Sequence, residues 1–162
     1  MLVFQNKQKR FGEWYREVLL DADVLDQRFP LKGCNVWKEY GTKIMQNIMV
    51  LLENLLEQTG HSKMHFPLLI PENLFGKESQ HLRGFEDQVF WVNRAGKRKT
   101  SRKLVIRPTS ETAIYYMFSL WVRSHADLPM KVYQTVSVFR LETNSTKPLI
   151  RDREMWPFNE AH

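Results

Sequence analysis

Cys34 is the only cysteine among 162 residues, and a single thiol closes no intramolecular disulfide. That excludes a disulfide-stapled secreted scaffold and predicts a cytoplasmic protein. Within Lys32-Gly33-Cys34-Asn35 the thiol has no activating neighbour, so Cys34 reads as a small packed residue rather than a nucleophile. No apolar run is long enough to span a bilayer, and Met1-Leu2-Val3-Phe4 lacks the pattern of a secretory signal. A soluble chain without a membrane partner is expected. Asn144-Ser145-Thr146 matches a glycosylation sequon, which a cytosolic protein does not use. There is no Cys-x-x-Cys spacing, and the pair His61 and His65 stands apart from the scattered His81, His125 and His162 with no cysteine or third ligand beside it, so no structural metal is predicted. A Gly-rich phosphate loop and a Gly-x-Ser-x-Gly elbow are also missing. No internal repeat, low-complexity tract or linker interrupts the chain.

What is present suits one globular domain: 43% of residues are hydrophobic and 26% charged, enough to bury a core. The net charge of +6 favours anionic partners such as nucleotides or RNA, although solvated surface lysines give the same balance.

Phe11, Trp14, Tyr15, Val18 and Leu19 share one face of a short amphipathic helix over residues 11–20. Pro30-Leu31-Lys32-Gly33 reads as a turn, and Val36 to Gly41 as an extended piece ending at its glycine. From Thr42 to Gln58, Ile44, Ile48, Leu51, Leu52 and Leu55 recur at helical spacing, with Thr42 as N-cap and Gly60 as stop; this predicts about four turns. Met45, Met49, Val50 and Leu56 add apolar surface beyond that stripe, so the helix is either a core helix or one that also meets a second subunit. His65 to Pro71 is an apolar run whose Pro67 removes a ladder hydrogen bond, which points to an edge or interface strand. Pro71 opens a further helix through about residue 81. Val89–Val92 and Lys103–Ile106 read as strands joined by a basic turn around Gly96, either a solvated hairpin tip or an RNA contact.

The chemistry gathers between Ile106 and Arg153. Pro108-Thr109-Ser110-Glu111 enters a helix whose Ile114, Met117, Phe118 and Trp121 form an apolar stripe. A long strand from Lys131 to Glu142 then places Val136, Val138, Arg140 and Glu142 on one face. After a polar loop, Leu149 to Met155 reads as the returning strand, with Arg151 and Arg153 sharing a face. Arginine binds carboxylate or phosphate in a planar fork, and a nearby carboxylate binds an ammonium or an adenine amino group. The set suits an amino acid meeting a nucleoside triphosphate. Thr109, Ser110 and Glu111 could equally cap a helix, and Arg140 with Glu142 form a surface pair.

Ile106-Arg107-Pro108-Thr109-Ser110-Glu111-Thr112-Ala113, then Asp127 to Lys131, Phe139-Arg140-Leu141-Glu142 and Lys147 to Glu154 resemble prolyl-tRNA synthetase, a class II aminoacyl-tRNA synthetase, in its archaeal and eukaryote-like type. Trp14-Tyr15, Lys32-Gly33-Cys34, Pro67 to Pro71 and Gly84-Phe85-Glu86-Asp87 extend the resemblance over nearly the whole chain. It implies an α+β fold, an antiparallel sheet flanked by helices, here incomplete. Residues 40–67 correspond to motif 1, the long helix and proline-bearing strand of a homodimer interface, with Pro67 in that interface.

The resemblance assigns the proline imino group to Thr109 and Glu111, and the proline carboxylate with the ATP α-phosphate to Arg140, the catalytic residue. Glu142 reads adenine, Arg151 contacts the ATP phosphates, Asp152 takes a neighbouring nucleotide position, and Phe85 lines the pocket. The implied reaction makes prolyl-adenylate from proline and ATP with Mg²⁺, then transfers proline to tRNA(Pro). Leu141 replaces the aromatic residue more common in motif 2, and Asp152 stands where threonine is common. The sequence ends soon after motif 2, so residues 1–162 read as the N-terminal part of the catalytic domain, without motif 3 or an anticodon-binding domain, and inactive alone. A non-catalytic dimerisation or regulatory module and a threonyl or seryl sister enzyme are the alternatives.

Overall fold

The computed structural model describes residues 7–78, 86–141 and 146–162. Among these residues the α-helices are α1 (Phe11–Asp21), α2 (Glu39–Gln58), α3 (Glu72–Glu78) and α4 (Glu111–Trp121). The strands among them are β1 (Leu25–Asp26), β2 (Val36–Trp37), β3 (Ser62–Lys63), β4 (Leu69–Pro71), β5 (Phe90–Ala95), β6 (Arg98–Ile106), β7 (Val132–Phe139) and β8 (Glu154–Ala161). This is the expected α+β arrangement.

The sheet that carries the site has the order β3-β7-β8. Its central strand, β7, is rich in β-branched residues and buried at Val132, Val136 and Val138, as a strand covered on its inner face should be. β3 lies parallel to it, with Ser62 opposite Val132. β8 runs antiparallel, with Glu160 opposite Gln134 and Phe158 opposite Val136, so each pair projects to one side of the sheet. A second sheet, β4-β6-β5, is antiparallel throughout and turns at Gly96, whose φ of 59° suits glycine.

Three small cores hold these layers. Phe66, Ile114 and Val132 pack between α4 and the first sheet; Ile70, Phe75, Val89 and Val105 pack under the second; Leu19, Val24 and Leu25 anchor α1. Burying each such side chain contributes about 1.5–3 kcal/mol. The stripe predicted for the first helix behaves as expected, with Leu19 buried and Phe11 left exposed at its start.

Several boundaries differ from expectation. The extended piece predicted to end at Gly41 is only Val36–Trp37, and α2 begins at Glu39, ahead of the Thr42 cap. Gly41 lies inside the helix because the chain crosses there: a Cβ would stand 2.2 Å from the Val24 carbonyl oxygen. At the other end Gly60, with φ of 82°, does stop the helix, and His61 N–H returns to Leu56 O at 3.1 Å.

The run from His65 to Pro71 is not one strand, since β4 takes only Leu69–Pro71. Phe66 satisfies its backbone through side chains instead, accepting from Arg107 and donating to Gln134. Pro67 is exposed in that irregular segment. The returning strand predicted from Leu149 starts at Glu154, because Lys147 to Arg151 closes a turn with Leu149 at φ of 66°.

The stripe on α2 is the largest departure from a core helix. Leu51 is 66% and Leu55 60% exposed, and Ile44 and Ile48 are exposed with them. The covered side carries the half-buried Met45, Met49, Leu52 and Leu56, and beside them Glu53 and Glu57 bond to the first sheet.

Candidate active site

β6 runs out at Ile106, and the chain passes through Arg107, Pro108 and Thr109 into α4. The crossing is fastened by backbone bonds on both sides: Arg107 N–H reaches Leu68 O at 3.0 Å, and Phe139 N–H reaches Arg107 O at 3.0 Å. Arg107 itself is 4% exposed. Its Nε donates to Ser137 O at 2.9 Å and its Nη1 to Phe66 O at 2.8 Å, so one guanidinium staples three segments. Burial pulls its pKa below the ordinary arginine value, while the nearby Glu160 charge acts the other way.

Arg140 follows the last residue of β7 and is half-buried. Its backbone N–H still pairs, with Arg153 O at 2.9 Å, which aligns the start of the return. The side chain folds toward α4: Nε donates to Pro108 O at 3.0 Å, and the guanidinium lies 5.9 Å from the centre of the Phe158 ring. Arg140 is thereby held beside the peptide that carries Thr109.

Thr109 and Ser110 are buried, and their partner is a residue that sequence reasoning missed. Glu160, on β8, accepts from Thr109 Oγ1 at 2.9 Å and from Ser110 N–H at 2.8 Å, both through Oε1. Its Oε2 takes Gln134 Nε2 at 3.3 Å. The capping alternative is therefore answered in part: Ser110, at the N-cap of α4, makes no side-chain cap bond, and a carboxylate from a distant strand serves the helix start. Glu111 is the first residue of α4 and half-buried. The signal that could have exposed Glu160 is its place two residues after Phe158, the end of the apolar run from Met155, where strand alternation puts it on the same face as Phe158.

Arg151 is exposed on the turn after the polar loop, its N–H bonded to Lys147 O at 2.7 Å. Asp152 sits beside it but turns inward, 6% exposed, with Oδ2 accepting Leu149 N–H at 3.2 Å. Burial pushes its carboxyl pKa up; the Leu149 N–H and the neighbouring Asn35 oppose that. An expected nucleotide contact thus holds the turn that presents Arg151. Gly33 buttresses the same turn: its carbonyl accepts Arg153 N–H at 2.7 Å and Glu154 N–H at 3.1 Å. With φ of 79° and Arg153 Cγ 2.9 Å from where a Cβ would stand, Gly33 has no room for a side chain. The structure brings Arg140 to the segment that carries Thr109 and Glu111; Glu142 and Phe85 lie outside the described residues.

Residues 90–162 match the family described as tRNA synthetase class II core domain (G, H, P, S and T). Proline–tRNA ligases of Pyrococcus abyssi and Methanocaldococcus jannaschii are 55% and 52% identical over 95% and 94% of the chain. The solved prolyl-tRNA synthetase of Giardia lamblia in complex with prolyl-adenylate superposes with a TM-score of 0.91 at 47% identity, over 95% of the chain. The chain belongs to the class II tRNA synthetases. A second synthetase structure, from Cryptosporidium parvum and complexed with halofuginone and AMPPNP, matches with a TM-score of 0.84 at 31% identity. This synthetase chain spans about a third of its relatives' length, 32% and 33% of the two ligases and 31% of the Giardia enzyme.

Proposed function

We propose that the chain supplies the amino-acid and ATP-binding heart of a proline–tRNA ligase. The observation that carries this reading is the meeting of Arg140 with the Thr109 segment through the 3.0 Å bond to Pro108 O. It sets a fork of donors for a carboxylate and a phosphate next to a hydroxyl and the Glu111 carboxylate, which suit an imino group. The complexes formed by the Giardia and Cryptosporidium relatives support the same assignment.

In this reading Thr109 and Glu111 hold the proline imino group, and Arg140 bridges the proline carboxylate and the ATP α-phosphate. Glu142 reads adenine, Phe85 lines the pocket, and Arg151 contacts the phosphates from the turn that Asp152 braces. A carboxylate oxygen of proline attacks the α-phosphorus, and the bond to pyrophosphate breaks. The tRNA(Pro) 3′-terminal hydroxyl then attacks the prolyl carbonyl, and AMP leaves. The chain's part is positioning and charge stabilisation, with no side-chain nucleophile. Mg²⁺ bound with ATP offsets phosphate charge. Among the described residues no group of three or more His, Cys, Asp or Glu stands where it could hold a metal ion.

The open stripe of α2 and the exposed Pro67 support a homodimer, since a second copy would cover Leu51 and Leu55. The reading includes a cytoplasmic location; among the described residues no helix is long and apolar enough to cross a membrane. ATP–pyrophosphate exchange by the full-length protein, run against a panel of amino acids, tests the assignment. Exchange that depends on proline is expected. Exchange driven instead by threonine, serine or another amino acid, or none at all, overturns it.

A further inference from the structure

We infer that Glu160 is a positioning residue that sets the hydrogen-bond polarity of the amino-acid pocket, by taking the one proton of the Thr109 hydroxyl. This rests on the reading that Thr109 faces the amino acid. A hydroxyl has one hydrogen to give and two lone pairs to offer. With that hydrogen committed to Glu160 Oε1 at 2.9 Å, Thr109 meets any ligand as an acceptor only. The pocket then selects a group that brings N–H, such as an ammonium, and disfavours one that brings a lone pair.

The direction of that bond is enforced from behind. Phe66 N–H donates to Gln134 Oε1 at 2.9 Å, which leaves the Gln134 amide nitrogen to point at Glu160. Gln134 Nε2 donates to Oε2 at 3.3 Å, and Ser110 N–H donates to Oε1 at 2.8 Å. Glu160 is thus approached by three donors, and all but one come from groups that cannot reverse. A carboxylate accepts on both oxygens. An amide in its place would have to aim its NH₂ at either Gln134 Nε2 or Ser110 N–H, a donor against a donor in a site where Glu160 is 7% exposed. The register of β7 and β8 sets Glu160 opposite Gln134, so the relay Phe66 to Gln134 to Glu160 to Thr109 is built into the sheet.

The test is steady-state pyrophosphate exchange by the full-length protein, with wild type, Glu160→Gln, Thr109→Val and the double variant, each checked for thermal unfolding. Glu160→Gln is expected to raise KM for the amino acid by about tenfold, the loss of one hydrogen bond to a charged group, with KM for ATP unchanged. On the Thr109→Val background the same change should raise it less than about twofold, because the two residues act as one unit. An equal rise for ATP and amino acid, or the full effect on the Thr109→Val background, overturns the inference and leaves Glu160 as a helix cap alone. Should Glu160→Gln fail to fold, Gln134→Met decides. It reaches Thr109 only through Glu160, so a rise in amino-acid KM that vanishes with Thr109→Val supports the inference, and one that persists, or none, overturns it. Activation of an amino acid other than proline sinks the proposed function while these comparisons still judge Glu160. Wild type that activates no amino acid sinks both.

Discussion

Tyr133 donates its phenol hydrogen to Glu57 Oε1 at 2.8 Å, a bond that ties α2 to the central strand of the site's sheet. On the same face Thr135 reaches Glu53 at 2.7 Å, and Lys63 reaches the other Glu53 oxygen at 2.7 Å. A helix on a globular surface usually turns its apolar side inward; α2 keeps Leu52 and Leu56 half-buried beside these contacts but leaves Leu51 and Leu55 in solvent. Burial and the Glu57 carboxylate push the Tyr133 phenol up to about 12, so it stays a donor across the working range. Tyr133→Phe should cost about 1 kcal/mol in urea unfolding, with Glu57 left free to hydrate.

Replacing Leu51 and Leu55 with aspartate tests what the outward stripe is for. The pair is 66% and 60% exposed, so folding of one subunit should change by no more than about 0.5 kcal/mol per site. Sedimentation of the full-length protein should nonetheless shift from dimer to monomer. An unchanged sedimentation coefficient would remove α2 from the subunit interface.

Two glycines in helices should respond in opposite directions to alanine. Gly41→Ala drives a methyl into the Val24 carbonyl, 2.2 Å away, and should cost about 2–3 kcal/mol. Gly12→Ala in α1 meets nothing within 4 Å and should stabilise by about 0.5–1 kcal/mol. Thermal melts of the two single variants read both signs.

Arg107→Met should lower unfolding free energy by about 3 kcal/mol, since it strands the buried Phe66 carbonyl and the half-buried Ser137 carbonyl. Arg107→Lys should recover less than half of that, because a point-like ammonium cannot reproduce a fork that reaches both oxygens. Denaturant titration at neutral pH distinguishes the three proteins.

Asp152 predicts a pH dependence with a definite sign. Its carboxyl is raised by burial, so between the ordinary value of about 3.9 and its value in the fold the native state holds the proton more tightly than the unfolded chain. Stability contributed there falls as pH rises through that window. Asp152→Asn keeps an acceptor for Leu149 N–H and removes the buried charge. It should melt higher than wild type at neutral pH, by a few degrees, and the gap should close as pH drops below about 4.

The helices and strand types were legible wherever the periodicity was long, as in α2, α4 and β7. Boundaries failed where a residue served a contact from far along the chain. Gly41 looked like a stop because its reason, the Val24 carbonyl, is not local. Phe66 looked like strand because its backbone partners are the side chains of Gln134 and Arg107. Leu149 looked extended until the Asp152 carboxylate closed its turn. Thr109, Glu111 and Arg140 stood out through their spacing and the motif they resemble. Glu160 did not, because it belongs to the site only through β8 lying against β7, and register is not written in any short stretch.

The bond from Glu160 to Thr109 joins positions 51 apart, and the relay behind it reaches back to Phe66. Such a loop closes late, after the intervening chain has condensed, and the entropy of closure is borne before the contact forms. During synthesis Thr109 therefore emerges as an ordinary rotating hydroxyl, equally able to give or take a hydrogen. It acquires a sense of direction only when β8 pairs with β7, so the pocket's chemical identity is conferred by long-range pairing and not by its own segment.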